Sequence, residues 1–318
     1  MSEKNYPMIS ETATRLRENI QRVIVGKDET INLALIAMLC EGHLLLEDVP
    51  GTGKTTLAKT IAASLGCTFR RVQFTPDLLP SDLTGIYYFN QKSQEFEFRP
   101  GPLMAQILLA DEINRATPRT QSALLESMQE RQVTVDIASH ELPRPFMVMA
   151  TQNPIELEGT FPLPEAQLDR FLLKLSIGYP DASGENDILL RFEKEDPLET
   201  LEKVVEPEEI IHLQEDVRQI KVEDSVRNYL VNVCRATRTH EAIALGASPR
   251  ATMALYRTSQ ARAAIEGRDF VIPDDVKVMA PYVLTHRMVV NPQTRLRGRT
   301  AEDVLREVVE TVPVPVEA

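Results

Sequence analysis

The stretch that most limits what this chain can fold into is Leu44-Leu45-Leu46-Glu47-Asp48-Val49-Pro50-Gly51-Thr52-Gly53-Lys54-Thr55-Thr56-Leu57. Three leucines predict a buried strand and two glycines a tight loop. The spacing from Thr56 to Leu65 predicts a helix that Gly66 stops. Strand, glycine loop, Lys-Thr and helix in that order make the setting of a phosphate-binding P-loop. Backbone N–H groups curl around phosphate oxygens, and the helix N-terminus adds positive partial charge. An ordinary turn before an amphipathic helix is the competing reading.

The full pattern G-x-x-x-x-G-K-[ST] asks for glycine where this chain has Asp48. A carboxylate repels phosphate, so Asp48 is expected to point away from the nucleotide. Pro50, Gly51, Thr52, Gly53, Lys54, Thr55 and Thr56 are then the candidate ATP-binding residues. Lys54 is placed for the β- and γ-phosphates and the Thr55 hydroxyl for Mg²⁺.

A second stretch, Ile107-Leu108-Leu109-Ala110-Asp111-Glu112, predicts a buried parallel strand with two carboxylates at its C-terminal end. In open α/β sheets that edge binds ligands. Asp111 is placed to hold Mg²⁺, and Glu112 to polarise a water for attack on the γ-phosphate. Phe146 to Ala150 predicts another core strand, ending in Thr151-Gln152-Asn153. Asn153 fits a hydrogen bond to the attacking water or the γ-phosphate. It equally fits capping a turn before Pro154.

Between these stretches, Thr68 to Phe74 reads as a strand and residues 86–98 as a β-hairpin turning at Asn90 to Gln94. Asp28 is a candidate cap for an apolar helix ending near Cys40. Thr117-Pro118 starts another helix, and Gln132 to Asp136 reads as a strand. After a linker over Pro180 to Gly184 no convincing strand is visible. Helices are predicted at 183–194, 207–220, 224–239, 249–266, 274–287 and 301–312, with Ser248-Pro249 and Thr300-x-x-Asp303 as start signals and Pro281 a candidate point for a kink or split. Length suggests about two domains, here 1–180 and 181–318.

Net charge is −12, from 35 basic and 47 acidic residues, which opposes a general nucleic-acid-binding role. The three cysteines lack paired spacing and read as free thiols of a reducing, cytoplasmic compartment. No apolar run is long enough for a membrane span. The first nineteen residues are polar and unlike a secretory leader. The five histidines show no metal-ligand spacing. Asp82-Leu83-Thr84-Gly85 matches a GTPase D-x-x-G, but no Asn-Lys-x-Asp guanine reader follows.

Taken in order, these segments resemble an AAA+ ATPase of the MoxR type. The resemblance rests on residues 46–55, Gln73-Phe74-Thr75-Pro76-Asp77-Leu78-Leu79-Pro80-Ser81-Asp82, Phe98-Arg99-Pro100-Gly101-Pro102, residues 109–116, Ala150-Thr151-Gln152-Asn153-Pro154 and residues 162–171. It covers roughly residues 10 to 290. It implies an α/β P-loop NTPase, a parallel sheet sandwiched by helices, followed by a smaller all-α lid. It further implies that Asn153 is sensor 1 and that Arg170 is an arginine finger acting in trans. Arg250 resembles a sensor 2 arginine contacting nucleotide, and Val25 and Gly26 would lie near the adenine. Each arginine also has a local reading: Arg170 as a helix-end cation, Arg250 in a salt bridge. Arg115, Arg119 and Arg131 are further candidates for a subunit interface or a solvated face. The implied protein is a hexameric, chaperone-like ATPase using ATP and Mg²⁺. Its implied client is a protein, such as one with a von Willebrand factor A domain, and its work could include metal insertion. A magnesium-chelatase-like motor subunit and a nucleic-acid-associated motor are the alternatives.

Overall fold

The structure, a computed structural model, describes residues 6–136, 138–155 and 159–315. Two helices, α1 (Tyr6–Gln21) and α2 (Asp28–Leu39), precede strand β1 (Leu44–Glu47) and helix α3 (Lys54–Ser64). Then come β2 (Phe69–Gln73), the short α4 (Pro80–Thr84), β3 (Gly85–Asn90), β4 (Glu95–Pro100) and β5 (Ile107–Asp111). Helix α5 (Pro118–Glu130), β6 (Gln132–Val135), β7 (Ala138–Glu141), β8 (Met147–Gln152), α6 (Glu165–Leu168) and β9 (Leu173–Leu175) complete the α/β part.

Strands β2, β5, β8, β1 and β9 pair in that order into one parallel sheet. The apolar runs are continuous because both faces are covered. Leu44 and Leu46 of β1 face one buried cluster, and Leu45 faces another with Leu124, Leu125 and Met128 of α5. Ile107 and Leu109 of β5 divide from Leu108 and Ala110 in the same way. The carboxyl edge of this sheet therefore gathers the P-loop, Asp111 and residue 153.

The predicted hairpin is present as β3–β4, with Phe89 and Phe96 exposed at its tip. The strand predicted from Gln132 pairs with a partner not foreseen, β7, in a second hairpin. The two hairpins meet through His140, whose ring stacks on Phe98 at 3.9 Å and lies 3.2 Å from the Tyr87 hydroxyl.

Beyond the sheet lie α7 (Ala182–Arg191), α8 (Pro207–Val217), α9 (Asp224–Thr239), β10 (Ile243–Leu245) and α10 (Pro249–Ile265). They are followed by α11 (Pro273–Leu284), β11 (Val289–Val290), α12 (Pro292–Leu296) and α13 (Ala301–Thr311). Three expectations need correction here. Strands β10 and β11 form a small antiparallel sheet where only helices were expected; at three and two residues they carry no readable periodicity. The linker shrinks, because Asp181 caps α7 by accepting from Gly184 N at 2.7 Å. Pro281 lies inside α11 without splitting it, one turn from its end, where few helical bonds remain to be lost.

Asp28 is also not a cap. Lys27 holds the N-cap position, and Asp28 is the first helical residue, where its charge suits the dipole. The start signals at Ser248 and Thr300 are confirmed: Ser248 Oγ accepts from Ala251 N, and Thr300 and Asp303 form a capping box. The C-terminal helices share a core with the sheet. Leu213 of α8, Leu255 of α10 and Val283 of α11 join Leu44 and Leu173 in one buried cluster, with α1 and α2 between.

Candidate nucleotide site

Gly51 and Gly53 both have φ of +86°, a left-handed conformation that glycine adopts without a steric cost. Gly53 is the N-cap of α3 and supplies no side chain, so the first turn of α3 has no side-chain cap. Lys54 folds back, its Nζ donating to Asp48 O and Val49 O, each at 2.9 Å. Burial lowers its pKa, and the charges of Asp48, Asp111 and Glu112 oppose that shift.

Asp48 does turn away. Its carboxylate accepts from Ser176 Oγ (2.7 Å), Ile177 N (2.5 Å) and Gly178 N (3.1 Å). The departure from the full motif thus ties the P-loop to the exit of β9.

A cavity of about 430 Å³ joins the P-loop to the acidic strand end. Pro50, Gly51, Gly53, Lys54, Thr55 and Thr56 line it on one side, Asp111, Glu112, Thr151 and Asn153 on the other. Arg71 and Gln73 complete the lining, and neither was foreseen as a site residue. Arg71 donates to Asp111 Oδ2 through Nη2 (2.7 Å) and Nε (3.1 Å). Gln73 Nε2 donates to Glu112 Oε2 at 2.6 Å, and Arg115 Nη1 reaches the same oxygen at 3.2 Å. Thr151 Oγ1 donates to Asp111 Oδ1 (2.6 Å) and accepts from Glu112 N (2.8 Å), holding the acidic pair to β8. Glu112 itself sits at φ 56°, ψ 52°, uncommon for a residue with a side chain. The one sequence signal for Arg71 and Gln73 is their alternation at the end of β2, which puts both beside Asp111 once β2 pairs with β5.

Asn153 shows the local turn that was its second reading. It lines the cavity, and its Oδ1 accepts from Ile155 N at 3.1 Å in a local turn.

A second cavity, of about 400 Å³, opens on the other side of Gly51 and Gly53. Val23, Ile24, Val25, Ile177, Ile188 and Phe192 make it largely apolar, suited to a base. Val25 and Thr52 line it; Gly26 does not, its φ of +62° serving the turn between Val25 and Lys27. Lys27 Nζ closes one wall by donating to Tyr179 O at 2.9 Å.

The residues fit a magnesium nucleotide. Thr55 and Asp111 are hard oxygen donors, and Asp111 already holds a cation in Arg71, which stands in for metal charge. Among the described residues no cluster of three His, Cys, Asp or Glu forms a metal site independent of nucleotide.

Arg170 and Arg250 line neither cavity of their own chain. Arg250 is exposed at the start of α10, and its charge acts on Arg287, which is bonded to Asp169 next to Arg170. That group lies by the amino edge of β9, across the sheet from the P-loop. Arg131 pairs with Glu41 and Arg115 with Glu112.

Comparison with known proteins agrees with this geometry. The family model described as "ATPase family associated with various cellular activities (AAA)" matches residues 43–173, and an AAA lid domain model matches residues 235–308. The protein YeaC of Bacillus subtilis is 53% identical over 99% of this chain and 97% of its own. The Chaperone MoxR1 of Mycobacterium tuberculosis is 42% identical over 96% of this chain and 82% of its own. The chain belongs to the MoxR group of AAA ATPases. A crystal structure from Cytophaga hutchinsonii, described as that of a candidate ATPase, superposes on this MoxR ATPase with a TM-score of 0.93. It is 35% identical and is covered over 98% of its length. The chain is thus an ATP-hydrolysing enzyme, and the two cavities are its candidate nucleotide site.

Proposed function

We propose that this MoxR ATPase works as a homo-oligomeric ring of six subunits, each P-loop completed by arginines of a neighbour. In this reading ATP turnover drives chaperone-like remodelling or maturation of a protein client in the cytoplasm. Residues 1–180 bind and hydrolyse nucleotide, and residues 181–318 form the lid. One observation carries the reading: Arg170 and Arg250 stand outside their own chain's cradle, with Arg287 and Asp169 beside them. A heterologous interface brings one subunit's far edge onto the next subunit's site and closes into a ring.

Mg²⁺, held by Thr55 and Asp111, would neutralise charge developing on the phosphates. Lys54 exchanges the loop carbonyls for phosphate oxygens, and Arg71 gives up Asp111. Glu112 orients the attacking water and takes its proton, with Asn153 steadying that water. Arg170 from the neighbour stabilises charge on the transferring phosphoryl, so assembly gates hydrolysis.

A protein client is supported by the name of the mycobacterial relative and by Phe89 and Phe96, 47% and 71% exposed on the hairpin tip. A von Willebrand factor A domain protein, with or without metal insertion, is the client class suggested by the motif resemblance. The three cysteines are free, which suits a reducing compartment. Among the described residues no helix is long and apolar enough to cross a membrane.

Turnover per subunit should rise with protein concentration as rings assemble. Arg170→Ala should keep the subunit's ATP affinity and lose that rise, whereas Lys54→Ala should lose nucleotide binding itself. Turnover independent of concentration in the unmutated protein would refute the ring.

A further inference from the structure

Arg170 follows a weak support. Helix α6 is four residues long and buries none of them. The chain around Arg170 is fixed instead from the lid, by a residue to which no role has yet been given. Arg287 lies just past α11, with its side chain only 4% exposed. Its Nε donates to Asp169 Oδ1 at 2.7 Å. Its Nη2 donates to Phe171 O at 2.6 Å and to Asp169 O at 3.3 Å. Its Nη1 donates to Leu172 O at 3.1 Å and to Val283 O of α11. His286 adds a bond from Nε2 to Phe171 O at 3.1 Å; burial holds that imidazole neutral, its pKa far below the ordinary value.

Carbonyls on both sides of Arg170 are therefore bound to one guanidinium. The planar fork serves several acceptors at once, which an ammonium cannot do in the same geometry. Arg250, on another lid helix, faces the same guanidinium closely enough for its charge to act there.

We infer that Arg287 is a positioning residue for Arg170: it clamps residues 169–172 to the lid, so that lid position sets where Arg170 meets the neighbouring subunit's site. This rests on the ring reading above. It makes the lid of one subunit a control on turnover in the next, without Arg287 touching nucleotide.

The test uses the full-length protein. Arg287→Lys should bind a fluorescent ATP analogue as the unmutated subunit does, because the clamp lies across the sheet from the P-loop. Its ring-dependent turnover should fall on the order of 100-fold, the loss that a displacement of about 1 Å can cause. Mixing it with Glu112→Gln protomers, which cannot turn over but carry a well-placed Arg170, should restore turnover at Arg287→Lys sites. A merely destabilised subunit would not be rescued by a neighbour. Asp169→Asn, which keeps shape and removes the pairing charge, should show a smaller loss with the same rescue, and it serves if Arg287→Lys does not fold.

The inference is overturned if Arg287→Lys turns over at the unmutated rate while Arg170→Ala is inactive. It is equally overturned if mixing rescues Arg170→Ala but not Arg287→Lys. Full turnover in Arg170→Ala would instead remove the ring reading, and this inference with it.

Discussion

The two edges of the central sheet use charge in opposite ways. At the carboxyl edge the Asp111 and Glu112 carboxylates each pair with a single, half-exposed arginine. The Arg71 side chain is 47% exposed and Arg115 42%, and each sits on a carboxylate proposed for the reaction, Asp111 at 13% and Glu112 at 23% exposed. At the amino edge the central groups are buried and heavily bonded. Arg287 is clamped to residues 169–172, and Glu41, 8% exposed, is held by Arg131, Arg144 and Arg218. Exposed pairs contribute up to about 1 kcal/mol and exchange readily, whereas breaking a buried pair leaves an unpaired charge out of water. The first arrangement suits an edge that changes partners during the proposed cycle, the second an edge that keeps its contacts through it.

The largest expected effect separates the two edges by kind. Glu112→Gln should leave ATP affinity within about twofold and lower turnover by about 10²–10⁴, the range attributed to a lost general base. Stability should scarcely move, because the amide oxygen of the new side chain can still accept from Gln73. Single-turnover hydrolysis beside a binding titration tests this; normal hydrolysis would mean that the carboxyl edge does not carry the chemistry assigned to it.

At the amino edge the same kind of change should alter stability instead. Glu41 joins the end of α2 to α5 through Arg131, to the approach to β8 through Arg144, and to the end of α8 through Arg218. Burial raises its pKa, but the hydrogen bond and charge of Arg131, with the charges of Arg218 and Arg144, outweigh that and hold the carboxyl below its ordinary value. A depressed folded value gives stability that is fully present above the ordinary pKa of 4.5 and is lost as pH falls through the folded one. Glu41→Gln should therefore cost about 1–3 kcal/mol near neutrality, discounted for half-exposed arginines. It should also flatten the decline of stability below pH 4.5. Urea melts at several pH values test both; parallel curves would show that Glu41 is not the pin proposed.

How much of this was legible beforehand follows from how local each feature is. The P-loop could be read because one contiguous segment supplies strand, turn and helix start, and only glycine suits Gly51 and Gly53. Asp111 and Glu112 could be read only through their place in the chain: an acidic pair after a strand is usually a solvated loop, but this one follows the P-loop with one more strand between. Arg71 and Gln73 could not be assigned to the site, since alternation along β2 says which residues share a face but not which strand lies beside them. Thr151 was visible only as the end of a strand. Arg287 was hidden by an ordinary explanation, a cation near a helix C-terminus. The packing of α1 and α2 against α8 and α10 was out of reach because an apolar helix face does not specify what covers it.

The smallest expected effect sharpens the contrast within the carboxyl edge. Gln73 donates to Glu112 in an exposed setting, so Gln73→Ala should cost well under about 1 kcal/mol of stability. Its consequence should lie in turnover. With Gln73 removed, Glu112 keeps only Arg115 from the pair bonded to Oε2, and swings toward the cavity more often. Turnover in the absence of client should then rise a few-fold, about the ratio that 1 kcal/mol of released restraint permits. A fall would show that Gln73 aims Glu112 rather than restrains it. In that case the carboxyl edge would be arranged for chemistry before nucleotide arrives, and the contrast with the amino edge would be one of exposure alone.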